Sequence, residues 1–262
     1  MRYRIVDVFS ERPLAGNQLC VVLDDCPEPL MQAIAREVNL SETTFPTRTG
    51  PGSYTNRIFT PAVELPFAGH PSLGTAWALG PGRWEQTTSG AVVGIEVDDR
   101  RATMAQPDPT FAEVDTDGID AALGVAGTEA AALAVAAGNG FLLAAVSGGL
   151  ADATPDQVAI AALCRRHEAM AFAAVRRIDD RNLHVRVFVP LAGIPEDPGT
   201  GATAGPVSLF ARHRWGTDVD VVLHQGDEIG RPCRIEAHAE EGAITVGGFV
   251  ASCAEGRFDI DV

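Results

Sequence analysis

Two segments, Phe67-Ala-Gly-His-Pro-Ser-Leu-Gly-Thr-Ala76 and Pro195-Glu-Asp-Pro-Gly-Thr-Gly-Ala-Thr-Ala-Gly205, decide how this chain is read. Each sets a titratable side chain beside a proline, continues through glycine and other small residues, and enters an apolar helical pattern. The first N–H groups of a helix have no partner within it. A start without bulky side chains leaves them accessible to a carboxylate or another small anion. Two such starts predict two similar half-molecules that bind a small anionic ligand.

The surrounding pattern repeats in the same order. Ahead of the first segment, alternation predicts strands over 3–9 and 19–23, a helix over 28–38, a short strand over 40–45 and another over 57–60. The strand 40–45 puts Leu40, Glu42 and Thr44 on one face. After it come a helix over 73–79 and a hairpin around Asp98-Asp99. The proline-rich stretch Gln106-Pro-Asp-Pro109 predicts a boundary. Beyond it, strands are expected over 131–135 and 141–146, although the alanines of the former also suit a helix. Thr154-Pro155 predicts a helix to about residue 167 with Thr154 as its N-cap. Strands 171–178 and 183–189, a helix over 203–212 and strands over 219–223, 234–238 and 243–247 complete the series.

Composition restricts the chemistry. The chain has 262 residues, 46% of them hydrophobic and 21% charged, enough for one large or two moderate cores. A net charge of −15 argues against nucleic acid, which needs clustered cations. No apolar run is long enough to span a bilayer, and the N-terminus has no signal-peptide core, so a cytoplasmic protein is the expectation. All 20 basic residues are arginine. Without lysine there is no pyridoxal-phosphate Schiff base, lysine aldolase or Walker A loop. Five cysteines without paired spacing read as reduced thiols, and no metal-ligand pattern occurs, so a built-in metal site is not expected.

Three side chains carry the candidate chemistry. Glu42 is a carboxylate on a strand face; if it loses water it becomes an acid or base useful near neutrality, and otherwise it is an exposed edge glutamate. His70, between Gly69 and Pro71, is suited to proton exchange at a helix start or to a structural cap. Asp197 either accepts a hydrogen bond from a substrate or caps the helix that follows, with Glu196 as the alternative carboxylate.

Gly16-Asn17, Asn39-Leu-Ser-Glu-Thr-Thr-Phe45, the first glycine-rich segment, Glu196-Asp-Pro-Gly-Thr-Gly201 and Gln225-Gly-Asp-Glu-Ile-Gly-Arg-Pro232 together resemble the phenazine-biosynthesis isomerase (PhzF-like) family. The resemblance implies an α+β fold of the diaminopimelate-epimerase type. Two halves, each a mixed sheet or barrel around a central helix, would span residues 1–106 and 110–249. Residues 250–262 are a candidate completion of the first half, and the active site would lie between the halves. It implies Glu42 as general acid/base on a small cyclic carboxylate, with His70 and Asp197 completing the site. Gly69, Ser72, Thr200, Gly201, Ala202 and Thr203 are the expected substrate-binding positions. A cofactor-independent homodimer is implied as well. The family commonly has serine where this chain has Ala202. Racemases of this fold place a cysteine at each helix start, and neither glycine-rich segment contains one, so isomerisation ranks above racemisation.

Overall fold

The computed structural model describes residues 1–260; of the segment 250–262, residues 261 and 262 lie outside the described residues. Up to residue 106 the chain forms β1 (Arg2–Val8), β2 (Asn17–Val22), α1 (Glu28–Val38), β3 (Glu42–Gly50), β4 (Ser53–Phe59), β5 (Glu64–Leu65), α2 (Gly69–Leu79), β6 (Gly82–Thr87), β7 (Val92–Val97) and β8 (Arg101–Gln106). It continues with β9 (Thr110–Val114), α3 (Ile119–Leu123), β10 (Thr128–Ala136), β11 (Asn139–Val146), α4 (Gln157–Arg166), β12 (Ala171–Arg177) and β13 (Asn182–Val189). The last elements are β14 (Ile194–Asp197), α5 (Gly201–Trp215), β15 (Asp220–Gln225), β16 (Cys233–Glu240) and β17 (Ala243–Arg257). These form two compact units, Met1–Ala105 with the described part of Gly247–Val262, and Gln106–Val246.

In the first unit β17 pairs antiparallel with β1, and β1 with β2; β2 and β3 are parallel, β3 and β4 antiparallel, β4 and β6 parallel. Antiparallel pairs β6–β7 and β7–β8 follow, and β8 meets β17, which closes eight strands into a barrel. α2 runs inside it, with Gly69 through Ala76 all buried. A helix buried on every side needs no polar face, which explains its predominantly small and apolar residues. Gly74 shows how tight the fit is. A Cβ there would lie 2.7 Å from Leu19 Cδ2 and 2.8 Å from Val8 Cγ2. Outside the barrel, amphipathic α1 buries Met31, Ile34 and Ala35 against Phe45, Phe59 and Cys20.

The second unit repeats the alternation strand for strand. β9–β10 and β10–β11 are antiparallel, β11–β12 parallel, β12–β13 antiparallel, β13–β15 parallel and β15–β16 antiparallel. The sheet curves around α5, whose residues Thr203–Ala211 are buried without interruption. α3 and α4 cover its outer face over Leu142, Phe172 and Phe188. The two parallel ladders begin in register at Leu19–Glu42 and Phe141–Ala171. Aligned on them, Asn17 matches Asn139, each preceded by a glycine of positive φ, Gly16 at 75° and Gly138 at 79°. Glu42 matches Ala171, and the first residues of the central helices put His70 opposite Ala202 in the alignment. The duplication thus survives in hydrogen-bond pattern while the reactive side chains are confined to single copies.

Several local expectations need correction. The glycine-rich segments are not turns ahead of helices: α2 begins at Gly69 and α5 at Gly201, because glycine, alanine and threonine leave a helix inside a barrel the room it needs. Asp156, not Thr154, caps α4, its carboxylate accepting the N–H groups of Val158 and Ala159. Leu40 lies outside β3 and packs with the α1 cluster, whereas Thr44 bonds to Thr75 on α2. The alanine-rich 131–135 stretch is strand, as its pairing on both sides requires. β6 carries no strand signal in sequence, since Gly82-Arg-Trp-Glu-Gln-Thr87 has little apolar alternation. None of the five cysteines forms a disulfide. Burial pushes the Cys20 thiol up to about 12 and Cys164 to about 11.

Candidate active site

Glu42 is the first residue of β3 and points inward, because the parallel ladder with β2 places it beside Leu19 under the start of α2. His70, the second residue of α2, meets it there. Glu42 Oε2 and His70 Nε2 are 3.1 Å apart, with side chains 9% and 7% exposed. The approach is off the hydrogen-bonding direction, and Glu42 Oε2 makes no hydrogen bond. A buried carboxylate oxygen 3.1 Å from a titratable ring nitrogen is placed to exchange a proton. The geometry fits a group that acts on something else.

Asn17 defines the state of the histidine. Its Nδ2 lies 3.2 Å from His70 Nδ1. An amide nitrogen only donates, so Nδ1 is the acceptor and the ring proton resides on Nε2, the nitrogen facing Glu42. Gly16-Asn17 was visible as a motif, but its link to His70, 53 positions away, is a product of the barrel.

Ser72 is the fourth residue of α2. It is fully buried. Its hydroxyl donates to Ala68 O at 2.7 Å and accepts Gln86 Nε2 at 2.7 Å. Gln86 Oε1 in turn accepts from Tyr54 OH at 3.0 Å and Asn56 Nδ2 at 2.9 Å. Ser72 therefore belongs to a polar network that anchors α2. Gly69 is buried at the helix start, where Ala68 supplies no side-chain cap.

In the second unit, Asp197 ends β14 and is 8% exposed. Thr200 Oγ1 donates to Asp197 Oδ2 at 2.5 Å. Thr203 donates its hydroxyl to Thr200 O at 3.0 Å, and Gly201 O accepts Gln106 Nε2 at 2.8 Å. Ala202 is half-buried and offers only a methyl group. Glu196 is committed elsewhere. Arg186 holds it through two bonds, 2.9 and 2.7 Å, in a pair whose side chains are 6% and 9% exposed. The same guanidinium donates to Leu150 O and Ala153 O. Among the described residues no cluster of three or more histidine, cysteine, aspartate or glutamate side chains is arranged to hold a metal ion. None of the helices described is long and apolar enough to cross a membrane.

The structure thus brings Glu42, His70 and Asn17 together in one unit, and Asp197, Thr200 and Gln225 in the other. A buried carboxylate beside a buried imidazole has the makings of proton transfer.

A duplicated mixed sheet, wrapped in each unit around a buried helix, is the architecture of the epimerase-like isomerases. A predicted epimerase from Pseudomonas aeruginosa superimposes with a TM-score of 0.84 at 29% identity, over 99% of both chains. A probable proline racemase from Agrobacterium radiobacter has the same fold, with a TM-score of 0.66 at 12% identity over 99% of this chain and 93% of that one. Residues 6–256 match the family model of phenazine biosynthesis-like proteins, and the chain belongs to that family. The trans-2,3-dihydro-3-hydroxyanthranilate isomerase of Pseudomonas aeruginosa is 37% identical, over 98% of both chains. The protein is an isomerase acting on a small molecule.

Proposed function

We propose that this isomerase moves a proton, and with it a double bond, within a small unsaturated cyclic amino or hydroxy carboxylic acid. Glu42 serves as the general acid/base. Its carboxylate takes a proton from an activated C–H; the electrons of that bond form a new C=C while the original π pair shifts to the distal carbon. That carbon receives the proton back from Glu42, so the reaction is balanced without an external oxidant, reductant or cofactor. His70 Nε2–H orients the carboxylate or a polar group of the substrate, and Asp197 accepts a hydrogen bond from the substrate's amino or hydroxyl group. The N–H groups at Gly69, Gly201 and Ala202 are suited to the anionic part of the substrate, with Thr200 and Thr203 shaping the second helix start.

The observation carrying this reading is the buried Glu42 oxygen beside His70 Nε2, with no hydrogen bond of its own. By analogy with its Pseudomonas relative, the first substrate to test is trans-2,3-dihydro-3-hydroxyanthranilate, and the setting proposed is biosynthesis of a specialised metabolite in the cytoplasm by a homodimer. In deuterated water the wild type should incorporate carbon-bound deuterium into product. Glu42→Gln should lose roughly 10²–10⁴-fold in rate. Undiminished exchange by that variant would overturn the assignment.

A further inference from the structure

One sequence motif, Gln225-Gly-Asp-Glu-Ile-Gly-Arg-Pro232, takes no part in the proton shift proposed above. Gln225 ends β15 and is fully buried. Its amide makes three hydrogen bonds, all into the Asp197–Thr200 turn. Nε2 donates to Asp197 O at 2.8 Å and to Thr200 Oγ1 at 3.0 Å, and Oε1 accepts the Thr200 N–H at 3.2 Å. These bonds dictate where the hydroxyl proton of Thr200 goes. Oγ1 already accepts from the amide, so its own O–H is directed to its acceptor, Asp197 Oδ2, 2.5 Å away.

The chain after Gln225 packs on the same turn. Gly226 has φ +79°, and a Cβ there would lie 2.6 Å from Pro198 O and 2.4 Å from Arg231 O. Only glycine tolerates both the backbone conformation and the approach. The loop is closed by Arg231 N–H donating to Gly226 O at 2.9 Å. A fully buried amide, a hydroxyl and a carboxylate are therefore arranged in series, with a glycine fastening the far side.

We propose that Gln225 is a positioning residue that sets the orientation of the Asp197 carboxylate through the Thr200 hydroxyl, with Gly226 pressing the loop onto Pro198. The role in turnover rests on Asp197 contacting the substrate, as proposed above; the orientation of the carboxylate does not. A positioning defect of this kind costs up to about 10²-fold in rate.

The test is a cycle of Gln225→Met, Thr200→Val and the double variant, read in two ways. First, ¹³C NMR follows titration of the Asp197 carboxyl, assigned by comparison with Asp197→Asn. Both single variants should raise its midpoint, and the double variant should raise it no further, because the two side chains act in series. Second, kcat/KM is measured with trans-2,3-dihydro-3-hydroxyanthranilate, expecting equal and non-additive losses. Additive effects, or an Asp197 titration unmoved by either single change, would overturn the proposal. Thr200→Val alters a half-buried side chain and keeps the test decisive if Gln225→Met does not fold: an unmoved midpoint in that variant alone rejects it. If the titration shifts as expected while Asp197→Asn retains full kcat/KM, the positioning stands and the substrate role of Asp197 fails.

Discussion

Asn17 Nδ2 faces Nδ1 of His70 at 3.2 Å, deep in the first barrel, and this contact makes the other ring nitrogen the proton carrier. Replacing Asn17 with aspartate reverses the polarity, since a carboxylate only accepts. In Asn17→Asp, ¹⁵N shifts of the His70 ring should show protonation at Nδ1, and isomerisation should slow. An unchanged ring spectrum would show that Asn17 does not set the tautomer.

The network beneath α2 is predicted to matter for stability more than for chemistry. Gln86 is fully buried and bonds to Ser72, Tyr54 and Asn56 at once. Gln86→Leu leaves these polar groups without their partner, at about 1–3 kcal/mol for each one left unsatisfied. Urea denaturation should show a lowered midpoint with an unchanged slope. A variant as stable as wild type would mean that the network is dispensable.

Arg186 and Glu196 should show the asymmetry of a buried ion pair. Glu196→Ala strands a buried guanidinium and is expected to cost about 3–5 kcal/mol, whereas Arg186→Met combined with Glu196→Ala should recover much of that loss. Thermal melts of the wild type and these two variants measure it. If the double variant is no more stable than Glu196→Ala, the pair does not act as a unit.

His224 predicts a pH dependence. Its Nε2 donates to Asn182 Oδ1 at 2.8 Å, the amide being oriented by its Nδ2 bonds to Asp179. Burial, reinforced by Arg234, holds the imidazole below its ordinary pKa. On acidification the unfolded chain therefore binds this proton first. The contribution is absent well above about pH 6.5, and stability falls as the pH drops from there towards the folded value. In urea melts between pH 7.5 and 5, His224→Gln should lose less stability on acidification than the wild type. Parallel curves would rule out His224 as a source.

Much of this organisation was legible in the sequence for identifiable reasons. α1 could be read to the residue, because its apolar spacing is amphipathic and Pro27 and Asn39 delimit it. The buried helices were harder. With small residues on every face, α2 and α5 show no periodic boundary, and their first turns looked like loops. Glu196 was the alternative to Asp197 in sequence, and its pairing with Arg186, ten positions away, could not be read there.

By itself the sequence determined the repeated order of strands and helices, the absence of lysine chemistry, and which few carboxylates and histidines were available as acids and bases. Those are properties of local pattern and residue identity. Only the tertiary structure decided what each polar group faces. The pairing of Glu42 with His70, of His70 with Asn17 and of Gln225 with the Asp197 turn joins residues 28, 53 and 28 positions apart, the separations of Glu42–His70, Asn17–His70 and Asp197–Gln225. Such contacts arise when strands distant along the chain close around a helix, and hydrogen-bond direction then assigns donor, acceptor and proton.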